Sequence, residues 1–201
     1  MTGWAWGRGA VASLAKMLFV LVFGAMASAA SALSPSPAEV GARAAGAWLD
    51  RADFMIYQVG DVTAVHYAEV ASALGAVRLA EATGNRALLD RVAARHRRLI
   101  EADLPNSANH VDANVYGLWP LALGGADNRE RGLRMADGQW RETTADGLTD
   151  QARYWIDDVW MIGALQVQAW RTTRDRRYLD RAALTALRYI ARLQQPEGGH
   201  G

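Results

Sequence analysis

The sequence contains no cysteine, and Lys16 is its only lysine. Without cysteine the chain can form no disulfide bond and cannot use a thiolate as a nucleophile, so packing alone must hold the fold together. The Gly-x-Ser-x-Gly elbow, the P-loop and the glycine-rich dinucleotide fingerprint are also absent from the sequence. These absences argue against thiol enzymes, serine hydrolases of the elbow type and nucleotide-binding proteins.

The first 32 residues have the pattern of a secretory signal peptide. Arg8 and Lys16 precede the apolar run MLFVLVFGAMA, and a stretch of small residues follows it. This order is typical of exported proteins, and the apolar run is shorter than the roughly 20 residues of a membrane-spanning helix. We therefore expect cleavage near Ala32 and a periplasmic or secreted protein without a membrane anchor. An uncleaved anchor is the alternative.

The composition of the remaining chain, residues 33–201, indicates a folded protein without a nucleic-acid partner. Hydrophobic residues make up 51% of the full sequence and charged residues 21%, as in ordinary globular domains. Removing residues 1–32 takes away two positive charges and no negative ones, so the formal net charge changes from +1 to −1. A chain with that balance lacks the basic surface on which nucleic-acid binding depends.

Apolar residues recur at helical spacing after residue 36, and no strand-like alternation is sustained. The pattern therefore predicts an all-α fold. The predicted helices cover residues 37–58, 64–83, 86–103, 112–123, 150–173 and 176–194. The glycine-rich polar segment 124–149 is predicted to be a long loop, and loops of that length inside a compact domain are usually functional.

An internal repeat indicates a helical-hairpin architecture. The run Thr83–Arg91, TGNRALLDR, returns 90 residues later as Thr173–Arg181, TRDRRYLDR. Each copy falls between two predicted helices. Such self-similarity is typical of stacked hairpins, in which one hairpin covers the apolar face of the next.

The stretch WIDDVWM, residues 155–161, places two adjacent carboxylates inside an apolar helical run. One interpretation is that Asp157 and Asp158 lie in the first turns of the helix, where negative charge favours the positive end of the helix dipole. The other is that the helix lines a cavity, with Trp155 and Trp160 as walls for a sugar and one aspartate as a proton donor. Spacing alone favours the first interpretation and leaves both open.

A second candidate segment is NHVDANVYGLWPLAL, residues 109–123. His110, Asp112 and Asn114 alternate there just before an apolar helix. Asp112 is predicted to be the N-cap of that helix, a role that explains it as well as chemistry does. The other histidines show no ligand spacing, so the sequence predicts no metal site.

Three motifs occur together: Trp-x-Asp-x-hydrophobic-aromatic-Met at 155–161, Asp-Ala-Asn at 112–114 and a Tyr-Leu-Asp-Arg-Ala corner at 178–182. In this combination the chain resembles the unsaturated glucuronyl and rhamnogalacturonyl hydrolases of glycoside hydrolase families 88 and 105. The resemblance covers about residues 37–196 and is most specific over 153–196.

The resemblance implies an (α/α)6 barrel, a ring of six helical hairpins whose central cavity holds the substrate. The implied substrate is an oligosaccharide, derived from pectin or a glycosaminoglycan, that ends in a 4,5-unsaturated uronic acid, and no cofactor is implied. By their match to the family motifs, Asp157 is the expected general acid and base, and Asp112 is expected to assist it. The expected substrate-binding residues are Trp155, Tyr67, His200 and Asn114.

The length of the chain departs from the family. Twelve helices with ordinary connections need upwards of about 180 residues, whereas 169 of the 201 remain after the predicted cleavage. We therefore expect residues 33–201 to form the N-terminal half to two-thirds of the barrel. Two alternatives stay open: another six-hairpin glycosidase that uses Asp112 and Asp157 as an inverting pair, and a helical-repeat fragment without catalysis.

Overall fold

The structure is a computed structural model that describes residues 34–60, 62–104, 106 and 108–195. The predicted cleavage site near Ala32 and the candidate residue His200 lie outside these residues. The chain divides into two units at residue 40, and the unit that begins at residue 41 carries the candidate site. Among the described residues, no helix combines the length and the hydropathy of a membrane span.

The described part of the chain is mostly helical, which confirms the all-α prediction at that level. The helices are α1 (Pro37–Leu49), α2 (Tyr67–Thr83), α3 (Arg86–Glu101), α4 (Val111–Asn114), α5 (Leu118–Leu123), α6 (Ala126–Gly138), α7 (Ile156–Thr173) and α8 (Arg176–Leu193). A 3-10 turn, Val115–Gly117, joins α4 to α5. Strands β1 (Ile56–Val59) and β2 (Val62–Val65) form an antiparallel hairpin between α1 and α2.

The prediction of one helix over residues 37–58 is wrong in its C-terminal part. Helix α1 ends at Leu49, and the chain then turns back through β1 and β2, with Ile56 opposite Val65. Val65 is buried in the core, so packing stabilises the hairpin in a segment whose sequence pattern had predicted a helix. The local signal for this hairpin is a pair of runs, IYQV and VTAV, that are rich in residues typical of strands. They lie on either side of Gly60, which has a φ of +57°.

The prediction of a loop over residues 124–149 is also wrong, because α6 occupies half of it. Gly125, at a φ of +88°, lets the chain reverse before α6 begins. Gly132 lies inside α6, where an added Cβ would come within 2.4 Å of Leu121 Cγ and 2.8 Å of the Gly117 carbonyl oxygen. The glycine that suggested a loop instead permits close packing between α6 and the preceding helix.

Three helical hairpins make up most of the described chain. Helix α2 pairs with α3, α5 with α6, and α7 with α8, and α5 also contacts both α2 and α7. The two copies of the repeat are the corners of the first and third hairpins. Gly84 at φ +65° and Arg174 at φ +63° end α2 and α7, and the side chains of Asn85 and Asp175 then cap α3 and α8. The prediction that each copy joins two helices is confirmed.

The core is shared by α2, α5 and α7. Its most deeply buried apolar residues, each no more than 1% exposed, include Val70, Ala73, Val77, Leu118, Trp119, Met161, Ile162 and Leu165. Strand β2, which leads into α2, contacts α4, and Arg153, which precedes α7, bonds to Asp112 of α4. The N-terminal ends of α2, α4 and α7 therefore lie at one end of the helical layer.

A buried ion pair fixes the segment between α1 and β1. Arg95 Nε donates to Glu69 Oε1 at 2.7 Å, and both side chains are almost completely buried. The two remaining guanidinium nitrogens of Arg95 donate to the carbonyl oxygens of Arg51 and Asp53 at 2.7 and 2.9 Å. Because every charge in this cluster has a partner, its burial is compensated.

Candidate functional site

Four of the predicted site residues lie at the N-terminal ends of α2, α4 and α7. Tyr67 is the first residue of α2, and Asp112 is the second residue of α4. In α7, Trp155 is the N-cap and Asp157 is the second helical residue. The structure brings Asp112 next to the start of α7, because Arg153 bonds to both segments.

The two adjacent aspartates of α7 have opposite environments. Asp158 is 0% exposed, whereas Asp157 faces solvent. Among the described residues, the Asp157 side chain makes no hydrogen bond and no ion pair. Of the two carboxylates, Asp157 is therefore the one that is free to meet a ligand.

Asp158 anchors the start of α7. Its Oδ2 accepts hydrogen bonds from the backbone N–H groups of Arg153 and Trp155 at 2.9 and 3.4 Å, and from the Tyr189 hydroxyl at 3.0 Å. Its Oδ1 accepts from Arg153 Nε at 3.0 Å. This is the arrangement of a carboxylate that caps a helix, with the hydrogen bonds that a buried charge requires.

Arg153 links Asp158 to Asp112. Its NH1 and NH2 groups donate to the two carboxylate oxygens of Asp112 at 3.1 and 3.2 Å. Burial alone would lower the pKa of Arg153, but the hydrogen bonds and negative charges of Asp158 and Asp112 outweigh that effect and raise the pKa. Burial and the charge of Asp158 likewise raise the pKa of Tyr189, so its hydroxyl stays protonated as a donor.

Tyr154 has a left-handed backbone, with φ +61°, between Arg153 and Trp155. Such a conformation costs a bulky residue roughly 1–2 kcal/mol. Here the Tyr154 ring stacks on Tyr189 at 5.0 Å between ring centres, and the Tyr154 N–H donates to the Tyr189 hydroxyl at 3.2 Å. The residues on either side of Tyr154 face opposite ways: the Arg153 side chain reaches the buried Asp158, whereas Trp155 is 60% exposed.

An exposed apolar strip surrounds Asp157. Trp155, Ile156 and Trp160 are all exposed on the first turns of α7. One face of the Trp155 ring lies 4.4 Å from the guanidinium carbon of Arg153, a cation–π contact. An indole held in this way beside a free carboxylate offers a flat apolar surface on which a sugar ring can stack.

The start of α4 differs from its prediction. Asp112 was expected to be the N-cap, but His110 is the N-cap, and its Nδ1 accepts from the Asp112 N–H at 3.3 Å. Asp112 can instead turn its carboxylate toward Arg153. Asn114 is buried, and its side-chain nitrogen donates to Asn109 Oδ1 and Gln151 Oε1 at 2.8 and 3.2 Å. Asn114 thus ties the loop before α7 to α4.

Tyr67 lies half-exposed at the start of α2. Its ring packs 4.2 Å from the ring of His66, the N-cap of α2, whose Nδ1 accepts from the Ala68 N–H at 3.0 Å. Because α2 and α4 begin at the same end of the helical layer, Tyr67 lies at the same end as Asp112. Among the described residues, no group of three or more acidic or histidine side chains could hold a metal ion.

Two residues of the site were not predicted from the sequence. Arg153 had a recognisable signal, since it is a charged residue directly ahead of the apolar run that begins at Tyr154. Tyr189 had none, because it reaches Asp158 from α8, 31 positions further along the chain.

Comparison of this chain with protein family models, with curated protein sequences and with solved structures finds no significant match.

Proposed function

We propose that this protein is a glycoside hydrolase that removes a 4,5-unsaturated uronic acid from the non-reducing end of an oligosaccharide, with Asp157 as general acid and base. The observation that carries the proposal is the environment of Asp157. Among the described residues it has no partner, and it is a solvent-facing carboxylate in the first turn of a helix, two positions from the exposed indole of Trp155.

The proposed reaction needs one carboxyl group. The terminal uronate is an enol ether, so the double bond can take a proton from the Asp157 carboxyl group to form an oxocarbenium ion. Water then adds to this cation and gives its proton to the Asp157 carboxylate, which restores the acid. The resulting hemiacetal opens and releases the neighbouring sugar. The balance is one substrate and one water converted to two products.

The pairing of Asp112 favours this reaction over the inverting alternative. An inverting glycosidase needs a second carboxylate that is free to activate water on the opposite face of the sugar ring. Both oxygens of Asp112 accept hydrogen bonds from Arg153. In this arrangement Asp112 suits an assisting charge beside the site better than a free base.

The fold of the proposed enzyme is part of an (α/α)6 barrel. Three consecutive hairpins, with the starts of α2, α4 and α7 at one end, support this proposal. Leu187 and Ile190 on α8 are exposed, and apolar side chains at such positions are suited to packing against a further hairpin. The proposed setting is the periplasm or the outside of the cell, after removal of the signal peptide near Ala32.

The test is turnover of an unsaturated uronyl disaccharide by the purified chain, followed as loss of ultraviolet absorbance of the conjugated double bond. We expect Asp157→Asn to lower kcat by at least about 100-fold, the usual contribution of a general acid and base. The matched control is Asp127→Asn, because Asp127 is also an exposed aspartate at the second position of a helix. Undiminished turnover by Asp157→Asn would show that another group carries the reaction.

A further inference from the structure

The guanidinium group of Arg153 contacts two carboxylates from different helices. Two of its nitrogens donate to the two oxygens of Asp112 at 3.1 and 3.2 Å, while Nε and NH2 donate to Asp158 Oδ1 at 3.0 and 2.5 Å. The donors of a guanidinium group are coplanar and point in fixed directions. The group can therefore satisfy both carboxylates only when α4 and α7 keep one relative arrangement.

The two ends of this bridge differ in freedom. Asp158 is completely buried, and its second oxygen is fixed by two backbone N–H groups and the Tyr189 hydroxyl. The Asp112 side chain is 14% exposed, and among the described residues its carboxylate has one charged or ionisable partner besides Arg153, the His110 ring at 3.4 Å. The buried Asp158 thus fixes the Arg153 side chain, and Arg153 in turn fixes the Asp112 carboxylate.

We infer that Arg153 is a positioning residue that fixes the start of α4, and with it Asp112, relative to the start of α7, which carries Trp155 and Asp157. The catalytic meaning of this inference rests on the proposed function, which treats Asp112 and Asp157 as parts of one site. Arg153 acts through its neighbours, because the two carboxylates already occupy its donors.

Charge and shape both require arginine here. One guanidinium lies between two carboxylates, so its removal would leave Asp158 as a buried anion without a cation, a strongly unfavourable state. The same group lies over the Trp155 ring, with its carbon 4.4 Å from the ring centre. A lysine ammonium would keep the charge, but it is a point charge on a flexible stem and cannot hold two carboxylates in a planar fork.

The first test compares NMR spectra of the full chain with those of Arg153→Lys and Arg153→Gln. We expect the Asp112 amide and the Trp155 indole N–H resonances to move or broaden in both variants, while the Gly84 amide at the distant α2–α3 corner stays in place. Arg134→Gln is the matched control, since Arg134 is exposed and its ion pair with Glu130 stays within α6. It should leave these resonances unchanged.

The second test is turnover of the unsaturated uronyl disaccharide by Arg153→Lys. We expect kcat to fall at least about tenfold, with KM within about twofold, because the change misplaces catalytic groups rather than removing a substrate contact. A kcat equal to that of the unaltered chain would overturn the inference.

The outcomes separate this inference from the proposed function. If the Asp112 and Trp155 resonances are unchanged in the variants at Arg153, the inference is wrong whatever the turnover shows. If these resonances move but the unaltered chain does not turn over the disaccharide, the positioning role stands and the proposed function fails. Should Arg153→Gln not fold, Arg153→Lys decides by the same resonances.

Discussion

The adjacent aspartates of α7 give the sharpest prediction about stability. Asp158 is completely buried and accepts hydrogen bonds from Arg153, Trp155 and Tyr189. Asparagine has the same shape but only one acceptor oxygen, and its amide N–H groups would face these donors. Asp158→Asn also leaves the Arg153 guanidinium with one carboxylate instead of two. We expect a loss of about 3–5 kcal/mol in the free energy of unfolding, because at least two hydrogen bonds to the carboxylate are lost and each contributes about 1.5–3 kcal/mol.

Asp157→Asn should behave differently, although it changes the next residue. Asp157 faces solvent and has no partner among the described residues, so the change removes only a favourable interaction with the helix dipole. Such an interaction contributes about 0.3–1 kcal/mol at the surface. The two substitutions are chemically identical, so each is the control for the other.

Urea unfolding of the two variants measures this contrast. With a slope of about 1–3 kcal/mol per molar urea, Asp158→Asn should lower the unfolding midpoint by at least about 1 M, and Asp157→Asn should lower it far less. Equal shifts, or a larger shift for Asp157→Asn, would refute the assignment of Asp158 as the structural residue and Asp157 as the free one.

Three further predictions concern the core and the exposed strip. Burial, and to a smaller extent the charge of Arg131, lowers the pKa of His96 from 6.5 to about 4. As the pH falls, the unfolded chain therefore binds a proton at His96 before the folded protein does. The free energy of unfolding should fall by roughly 3 kcal/mol between pH 6.5 and pH 4. Urea unfolding across this range should show that loss diminished in His96→Gln, and an identical pH dependence in that variant would contradict the reasoning. Arg95→Met should cost about 3–5 kcal/mol in thermal or urea unfolding, because it leaves Glu69 as a buried, unpaired anion. A second change, Glu69→Gln, should recover part of the loss, and full additivity would argue against the pair. Trp155→Ala should raise the Kd of the unsaturated disaccharide about tenfold in calorimetry while leaving stability nearly unchanged, since the indole is mostly exposed; unaltered affinity would remove Trp155 from the site.

Local sequence patterns predicted the hairpin corners well and the segments between them less well. Gly84 and Asn85 are residue types typical of a helix end and a helix N-cap. The return of the same run 90 residues later indicated a second corner, where Arg174 ends one helix and Asp175 caps the next. The β-hairpin and α6 were missed for a physical reason. Their residues fit several local structures, and tertiary packing decides between them, as the close approach of Gly132 to the preceding helix shows.

The candidate site could be predicted in part. The sequence placed Asp112 and Asp157 in the first turns of helices, and the structure puts both there. Trp155 was predicted inside a helix that starts at residue 150, but that helix begins at Ile156 and Trp155 is its N-cap. The sequence could not show which aspartate of the adjacent pair is buried, since both flank apolar faces of the same helix. That distinction depends on Arg153 and on Tyr189, whose hydroxyl approaches from another helix.

The most direct test of the central claim is an NMR analysis of the products formed from an unsaturated uronyl disaccharide by the unaltered chain in deuterated water. If Asp157 protonates the double bond, its proton exchanges with solvent, so one deuterium should appear on the ring carbon that was protonated, and the vinyl proton signal should disappear as the neighbouring sugar is released. Release of a uronic acid that keeps its double bond, or no release of sugar at all, would contradict hydration of the double bond by this protein.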